Sequence, residues 1–270
     1  MGILFALAYD GAKYHGFARQ RNVRTIEGEL LQKLESLGLR IRRLNYLSRT
    51  DKGVHAVSQY VNVDVRNSFS SFQDIISILN ELNACLPECI TIYKATYLKK
   101  AENIRHLIKS KTYLYIAPDF GENVEKIQWA VDYINMKEHD FSSLVKRPSN
   151  FLFPVKMRMR IRFILKPPFQ YFFVRAKGFL WEQVRRIITL LKAFALGRIG
   201  REEFERVLRG WRHPKGISPA PAEGLILWEV VFVKKIFKWF ILSNSRVLRK
   251  QIEDIARFYA ILNSKSWVFP

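Results

Sequence analysis

Cysteine is nearly absent from this chain of 270 residues: only Cys85 and Cys89 occur, four apart at a helix end. Two such thiols make no disulfide framework and lack partners for a metal site, so they read as buried thiols in a reducing, cytoplasmic setting. Acidic residues are also scarce, 24 Asp+Glu against 45 Lys+Arg, which leaves a net charge of +21. Such an excess repels itself unless a polyanion is the partner, and nucleic acid fits that need. A membrane partner is disfavoured, because the longest apolar stretch, residues 225–242, is broken by Glu229, Lys234, Lys235 and Lys238. Residues 3–7 form a short strand-like run rather than a signal peptide. The five histidines are scattered, and no His-x-Glu or Cys-x-x-Cys pattern supports a zinc deaminase. Neither a Gly-rich loop ending in Lys-Ser/Thr nor a Gly-x-Gly-x-x-Gly after a strand occurs, so no nucleotide cofactor is expected.

What is present is enough apolar residue, 49% of the chain, to bury a substantial core. Residues 3–9 read as a strand and Thr25 as the cap of a helix with Ile26, Leu30, Leu31, Leu34 and Leu37 on one face up to Gly38. A hairpin over residues 44–65, a helix over 71–84 and a strand over 90–98 complete a β-α-β-β-α-β series. The series recurs from Lys111: a strand, a helix through Val124, Ile127, Val131 and Ile134, two strands around Lys166-Pro167-Pro168, a helix after Gly178, and a strand over 225–233. This order predicts an α+β fold of two similarly built halves, with mostly antiparallel mixed sheets side by side, helices packed on one side and the active-site cleft between the halves. The expected divisions are residues 1–105, 106–235, and a tail, 236–270, with an amphipathic helix through Ile252, Ile255, Phe258, Tyr259 and Leu262.

Three stretches carry candidate chemistry. In Ser48-Arg49-Thr50-Asp51-Lys52-Gly53-Val54-His55-Ala56 a guanidinium, a hydroxyl and a carboxylate surround a turn that Gly53 permits, although an Asp there also serves turns by bonding its own backbone. Strict alternation over residues 155–163 predicts one strand with Val155, Met157, Met159, Ile161 and Phe163 on its core face. Lys156, Arg158, Arg160 and Arg162 would form its other face, either contacting phosphates or simply solvated. Tyr113 and Tyr115 share a strand face, where tyrosines pack in cores or stack on bases. Arg185 opens a helix, by default as a surface cation.

Several of these segments, in this order, resemble the TruA family of tRNA pseudouridine synthases. They are Tyr9-Asp10-Gly11 with Tyr14-His15-Gly16-Phe17; Arg24 to Leu30; Arg49-Thr50-Asp51-Lys52-Gly53-Val54-His55-Ala56; Lys111 to Tyr115; His139-Asp140-Phe141-Ser142-Ser143; Gly178-Phe179-Leu180 through Val184-Arg185; and Ala220 to Leu225. Phe17 stands where the family often has Trp, and residues 103–107 copy its pattern poorly. The resemblance implies a homodimer that needs no cofactor and isomerises uridines at positions 38 to 40 of the tRNA anticodon stem-loop. Asp51 would be the catalytic carboxylate, acting either at the sugar as a nucleophile or in loss of its 2′-proton. Arg185 would be its charge partner, favouring the ionised form. Tyr113 would stack on the flipped base, Arg49 fill the space it leaves, and Leu225 line the apolar side of the pocket. Arg24, Arg158 and Arg160 would hold the RNA. A non-catalytic RNA-binding protein of the same fold is the alternative, and it would not need Asp51.

Overall fold

The structure, a computed structural model, describes residues 2–98, 104–146, 154–233, 237–242, 245–267 and 269. The first elements in chain order are β1 (Gly2–Tyr9), α1 (Ile26–Ser36), β2 (Ile41–Tyr46), β3 (His55–Val65), α2 (Phe72–Cys85) and β4 (Ile90–Leu98). There follow β5 (Ile108–Pro118), α3 (Val124–Met136), β6 (His139–Asp140), β7 (Lys156–Met157), β8 (Arg160–Lys166) and β9 (Phe169–Ala176). The last are α4 (Gln183–Ala195), α5 (Arg201–Val207), β10 (Leu225–Phe232), β11 (Phe240–Ile241) and α6 (Ser245–Leu262). The chain divides into two compact units, Met1–Lys109 with Ile226–Ile255, and Ser110–Leu225 with Ala256–Pro270. Both are α+β, with mostly antiparallel strand pairing.

In the first unit β1 lies between β4 and β3, antiparallel to both. The other edge of β3 is shared. β2 pairs antiparallel along its C-terminal half, from Val61 to Val65, whereas β10 pairs parallel at His55 and Ala56. This sharing follows from the chain: β2 stops at Tyr46, residues 47–54 leave the ladder as a loop, and the vacated edge of β3 takes another strand. β1 is buried throughout and β3 at every residue but Asp64, so both faces are covered. The helices start where local chemistry dictates. Thr25 Oγ1 accepts the Gly28 N–H, and Ser71 and Asp74 form a reciprocal capping box at the start of α2. α1 ends before Gly38, which takes φ +79°. The heptad-like apolar positions Ile26, Leu30 and Leu34, and Ile75, Leu79 and Leu82, are buried.

In the second unit β9 runs between β5 and β8, antiparallel to both. α3, capped by Asn123, packs on β8 and against α4, whose residues from Ile187 to Ala195 are all buried.

Three expectations need correction. The strand over residues 155–163 is broken: β7 pairs with β6 in a separate small sheet, Arg158 and Met159 lie outside both ladders, and β8 begins at Arg160. The alternation nevertheless survives the break, with Lys156, Arg158, Arg160 and Arg162 all exposed. Cys85 is exposed and Cys89 half-buried, not buried thiols. The tail helix exists as α6, but it buries Ile252, Ala256 and Ala260, leaving Phe258 exposed. Residues 99–103, where the division between halves was expected to begin, and residues 234–236, at the start of the tail, lie outside the described residues. No described helix is long and apolar enough to cross a membrane.

Candidate active site

Asp51 sits in a turn closed by a hydrogen bond from Val54 N–H to the Asp51 carbonyl, 3.2 Å. Gly53 adopts φ +83° inside it, the left-handed conformation that glycine takes without a Cβ penalty. The surrounding residues Leu47, Ser48, Thr50, Gly53 and Val54 are buried, Asp51 is half-buried, and Arg49 and Lys52 are exposed. The sequence therefore presents one carboxylate and two cations from an anchored loop.

Several interactions anchor it. Gln59, wholly buried in β3, donates to the Ser48 carbonyl at 2.7 Å and accepts the Ser48 N–H at 3.1 Å. On its other side the loop docks on residues 10–17. Phe17 N–H donates to the Thr50 carbonyl (3.1 Å), Gly53 N–H to the Tyr14 carbonyl (3.4 Å), and the hydroxyls of Tyr9 and Thr50 lie 2.8 Å apart. Two glycines permit the approach. A Cβ on Gly11 would stand 2.0 Å from the Val54 oxygen, and one on Gly16, at φ +91°, would stand 2.7 Å from the Thr50 oxygen. Beneath them His55, fully buried, places Nδ1 3.0 Å from Asp10 Oδ1 and 3.1 Å from Gly11 N. Burial alone would raise the Asp10 carboxyl, but the bonds from His55 and the Ala12 N–H, with Lys13 nearby, outweigh it and hold that carboxyl below its ordinary value.

Arg24 lies in the same unit on the surface, with its Nη2 2.7 Å from Glu29 Oε1 and its guanidinium 5.2 Å from the Tyr14 ring centre. An exposed pair of this kind contributes little to stability, which leaves the guanidinium available to another anion.

In the second unit Tyr113 is buried in β5, edge-on to Phe179 at 5.3 Å. Arg185 stands half-buried in the first turn of α4. Its Nε donates to the Ala220 carbonyl, and its own carbonyl accepts the Ala220 N–H at 3.2 Å. Arg186 likewise donates to the Ile217 carbonyl and pairs with Glu182 at 2.6 Å. The proline-rich loop before β10 is thereby tied to the start of α4. Tyr115 ties its far end, donating to the Pro221 carbonyl at 2.8 Å, and burial raises its phenol well above the ordinary value. Gly224 passes so close to β5 that a Cβ would stand 2.7 Å from the Ile116 oxygen. Leu225, next in the chain, is buried. Arg158 and Arg160 are exposed, with Arg160 donating to the Asn135 carbonyl at 2.8 Å.

Each unit thus gathers its share of the expected residues: Asp51, Arg49 and Arg24 in the first, Tyr113, Arg185, Leu225, Arg158 and Arg160 in the second. Sequence reasoning about chemistry passed over Asp10, Tyr9, Gln59 and the buried His55 as supports of the Asp51 loop. The available signal was the pair Gly11 and Gly16, since glycines flanking aromatic residues mark close backbone approach. Among the described residues no three His, Cys, Asp or Glu side chains cluster as a metal site requires.

A family model described as tRNA pseudouridine synthase matches residues 138–233, a stretch that contains Arg158, Arg160, Arg185 and Leu225. Full-length relatives extend the likeness to the rest of the chain. The tRNA pseudouridine synthase A of Pyrococcus horikoshii is 36% identical over 233 residues, covering 86% of this chain and 85% of the relative. That of Thermococcus kodakarensis is 32% identical over 274 residues, covering 100% and 97%. That of Thermosipho melanesiensis is 33% identical over 242 residues, covering 83% and 97%. With identity of this level sustained along nearly its whole length, the chain belongs to the tRNA pseudouridine synthase A family and is an isomerase of that class.

Proposed function

We propose that the protein converts uridine to pseudouridine at positions 38 to 40 of the tRNA anticodon stem-loop, with Asp51 as the catalytic carboxylate. The observation that carries this reading is the mounting of Asp51, a half-buried carboxylate on a loop held by Gln59 from one side and by residues 10–17 from the other. Catalysis needs such fixed placement, because a misplacement of about 1 Å costs a rate factor of about 100. The reaction breaks the N1–C1′ bond, turns the detached uracil and joins C5 to C1′, with the C5 proton lost and N1 protonated. Atoms are conserved and no electrons are exchanged, so the chemistry calls for a carboxylate and a dry pocket rather than an electron carrier. Asp51 serves it either by attacking C1′ or by assisting loss of the 2′-proton.

In this reading Arg185 keeps Asp51 ionised and Tyr113 stacks on the extruded base. Arg49 occupies the vacated stack, and Leu225 supplies an apolar wall. Arg24, Arg158 and Arg160 neutralise phosphates, as the charge of +21 favours. The enzyme works as a homodimer in the cytoplasm. Release of tritium from [5-³H]uridine-labelled tRNA tests the core of the proposal. Asp51→Asn and Asp51→Ala are expected to abolish release while retaining tRNA binding; full release by either removes Asp51 from the mechanism. Mapping pseudouridine in the product tRNA tests the positions.

A further inference from the structure

We propose that Asp10 and His55 are positioning residues, a buried clamp that fixes where Asp51 stands; this rests on Asp51 being the reacting carboxylate. Asp10 follows directly on β1, His55 opens β3, and between them pass the two loops that meet at the site. The His55 ring is wholly buried, with Nδ1 3.0 Å from Asp10 Oδ1 and 3.1 Å from Gly11 N. One ring nitrogen cannot at once donate to a carboxylate and accept from an amide. Because Asp10 is held in its ionised form by its neighbours, the proton belongs on Nδ1, and Nδ1–H donates to Asp10.

Asp10 is itself pinned. Its carboxylate takes the Ala12 N–H at 2.9 Å, and its own N–H donates to the Cys89 carbonyl at 2.9 Å. Above the pair the backbones of Gly11 and Val54 press together with no room for a Cβ. From His55 the chain runs through Val54, whose N–H closes the turn on the Asp51 carbonyl. A ring that moves therefore moves Val54, and with it the turn. Neither Asp10 nor His55 needs to touch RNA to affect the rate.

Single-turnover rates at saturating tRNA, tRNA dissociation constants and melting temperatures of four variants test the clamp. Asp10→Asn keeps the volume and the oxygen that Ala12 reaches but removes the charge that holds the Nδ1 proton. His55→Gln carries its amide out to the region of Nε2 and loses the Nδ1 donor, whereas His55→Asn places an amide N–H near the Nδ1 position. Asp51→Asn reports on the underlying reading. Expected are rates lower by about 10- to 100-fold for Asp10→Asn and His55→Gln, unchanged tRNA affinity, and recovery of most of the rate in His55→Asn. Rates within about twofold of the parent, in a set where Asp51→Asn is inactive, overturn the clamp alone. A rate loss matched by an equal loss of tRNA affinity, or no difference between His55→Asn and His55→Gln, overturns it too. An active Asp51→Asn removes the premise instead. If His55→Gln fails to fold, Asp10→Asn decides by the same criteria.

Discussion

The hydroxyls of Tyr9 and Thr50 lie 2.8 Å apart with both residues buried, joining the end of β1 to the residue before Asp51. A buried hydroxyl left without its partner costs about 1–3 kcal/mol. Tyr9→Phe, which keeps the ring and removes the oxygen, should therefore lower the midpoint of urea unfolding by an amount in that range. It should also slow the enzyme, because the lost bond is one of those that seat the Asp51 loop. Unchanged stability would mean that water replaces the phenol at Thr50.

The two glycines of the docking surface predict a contrast. Gly11→Ala forces a Cβ to within 2.0 Å of a backbone oxygen, and Gly16→Ala adds a left-handed φ to a 2.7 Å clash. Backbone on both sides prevents relief by side-chain rotation, so each variant should lose at least about tenfold in pseudouridine formation. Gly38→Ala meets open space at φ +79° and should cost only the backbone term, about 1 kcal/mol, with activity retained. Tritium release and thermal melts on the three proteins separate the two effects.

Asp10 also predicts a specific acid response. Its carboxyl is held below the ordinary value of 3.8, so between its folded and unfolded values the unfolded chain binds more protons. Its stabilisation is thus present above about pH 4 and is lost as pH falls through the folded value. Asp10→Asn should be less stable than the parent at pH 6, with the gap closing toward pH 3. A gap that stays constant over that range would show that the charge of Asp10 is not what stabilises the loop.

Local rules carried much of this fold, and their failures are local too. Thr25 was legible as a helix cap because a cap is made within four residues of chain. The strand through Lys156 and Arg162 was misread because exposure alternates across Arg158 and Met159 although no partner strand pairs there; periodicity reports burial, not ladders. Phe258 has helical spacing with Ile252 and Ile255, yet the buried face of α6 is chosen by small residues, Ala256 and Ala260, that permit close packing. The Asp51 turn was legible from Gly53, but its fastening to Tyr9, Asp10 and Gln59 comes from pairings distant in sequence.

A buried charge pair in the second unit yields the last prediction. Lys192 of α4 and Glu122, both without solvent exposure, form an ion pair. The ammonium also donates to the Pro118 carbonyl at 2.8 Å and Gln170 Oε1 at 3.0 Å, while the rings of Phe120 and Trp267 lie 4.8 and 5.3 Å away. Burial lowers the Lys192 ammonium below its ordinary value, against the opposing pull of Glu122 and Asp119. Glu122→Gln removes the stronger of those two pulls and leaves a buried cation short of its anion, at a cost of about 3–5 kcal/mol at neutral pH. The ammonium should then titrate lower still. Over the window from that value up to the ordinary 10.5, the unfolded chain binds the extra proton, so stability rises with pH. Glu122→Gln should accordingly recover part of its loss between pH 7 and pH 9 in urea titrations. Glu122→Gln combined with Lys192→Met, which has no ammonium to titrate, should be more stable than Glu122→Gln alone at pH 7 and lack that recovery. Equal pH profiles for the two would show that Lys192 stays protonated in folded Glu122→Gln up to pH 9.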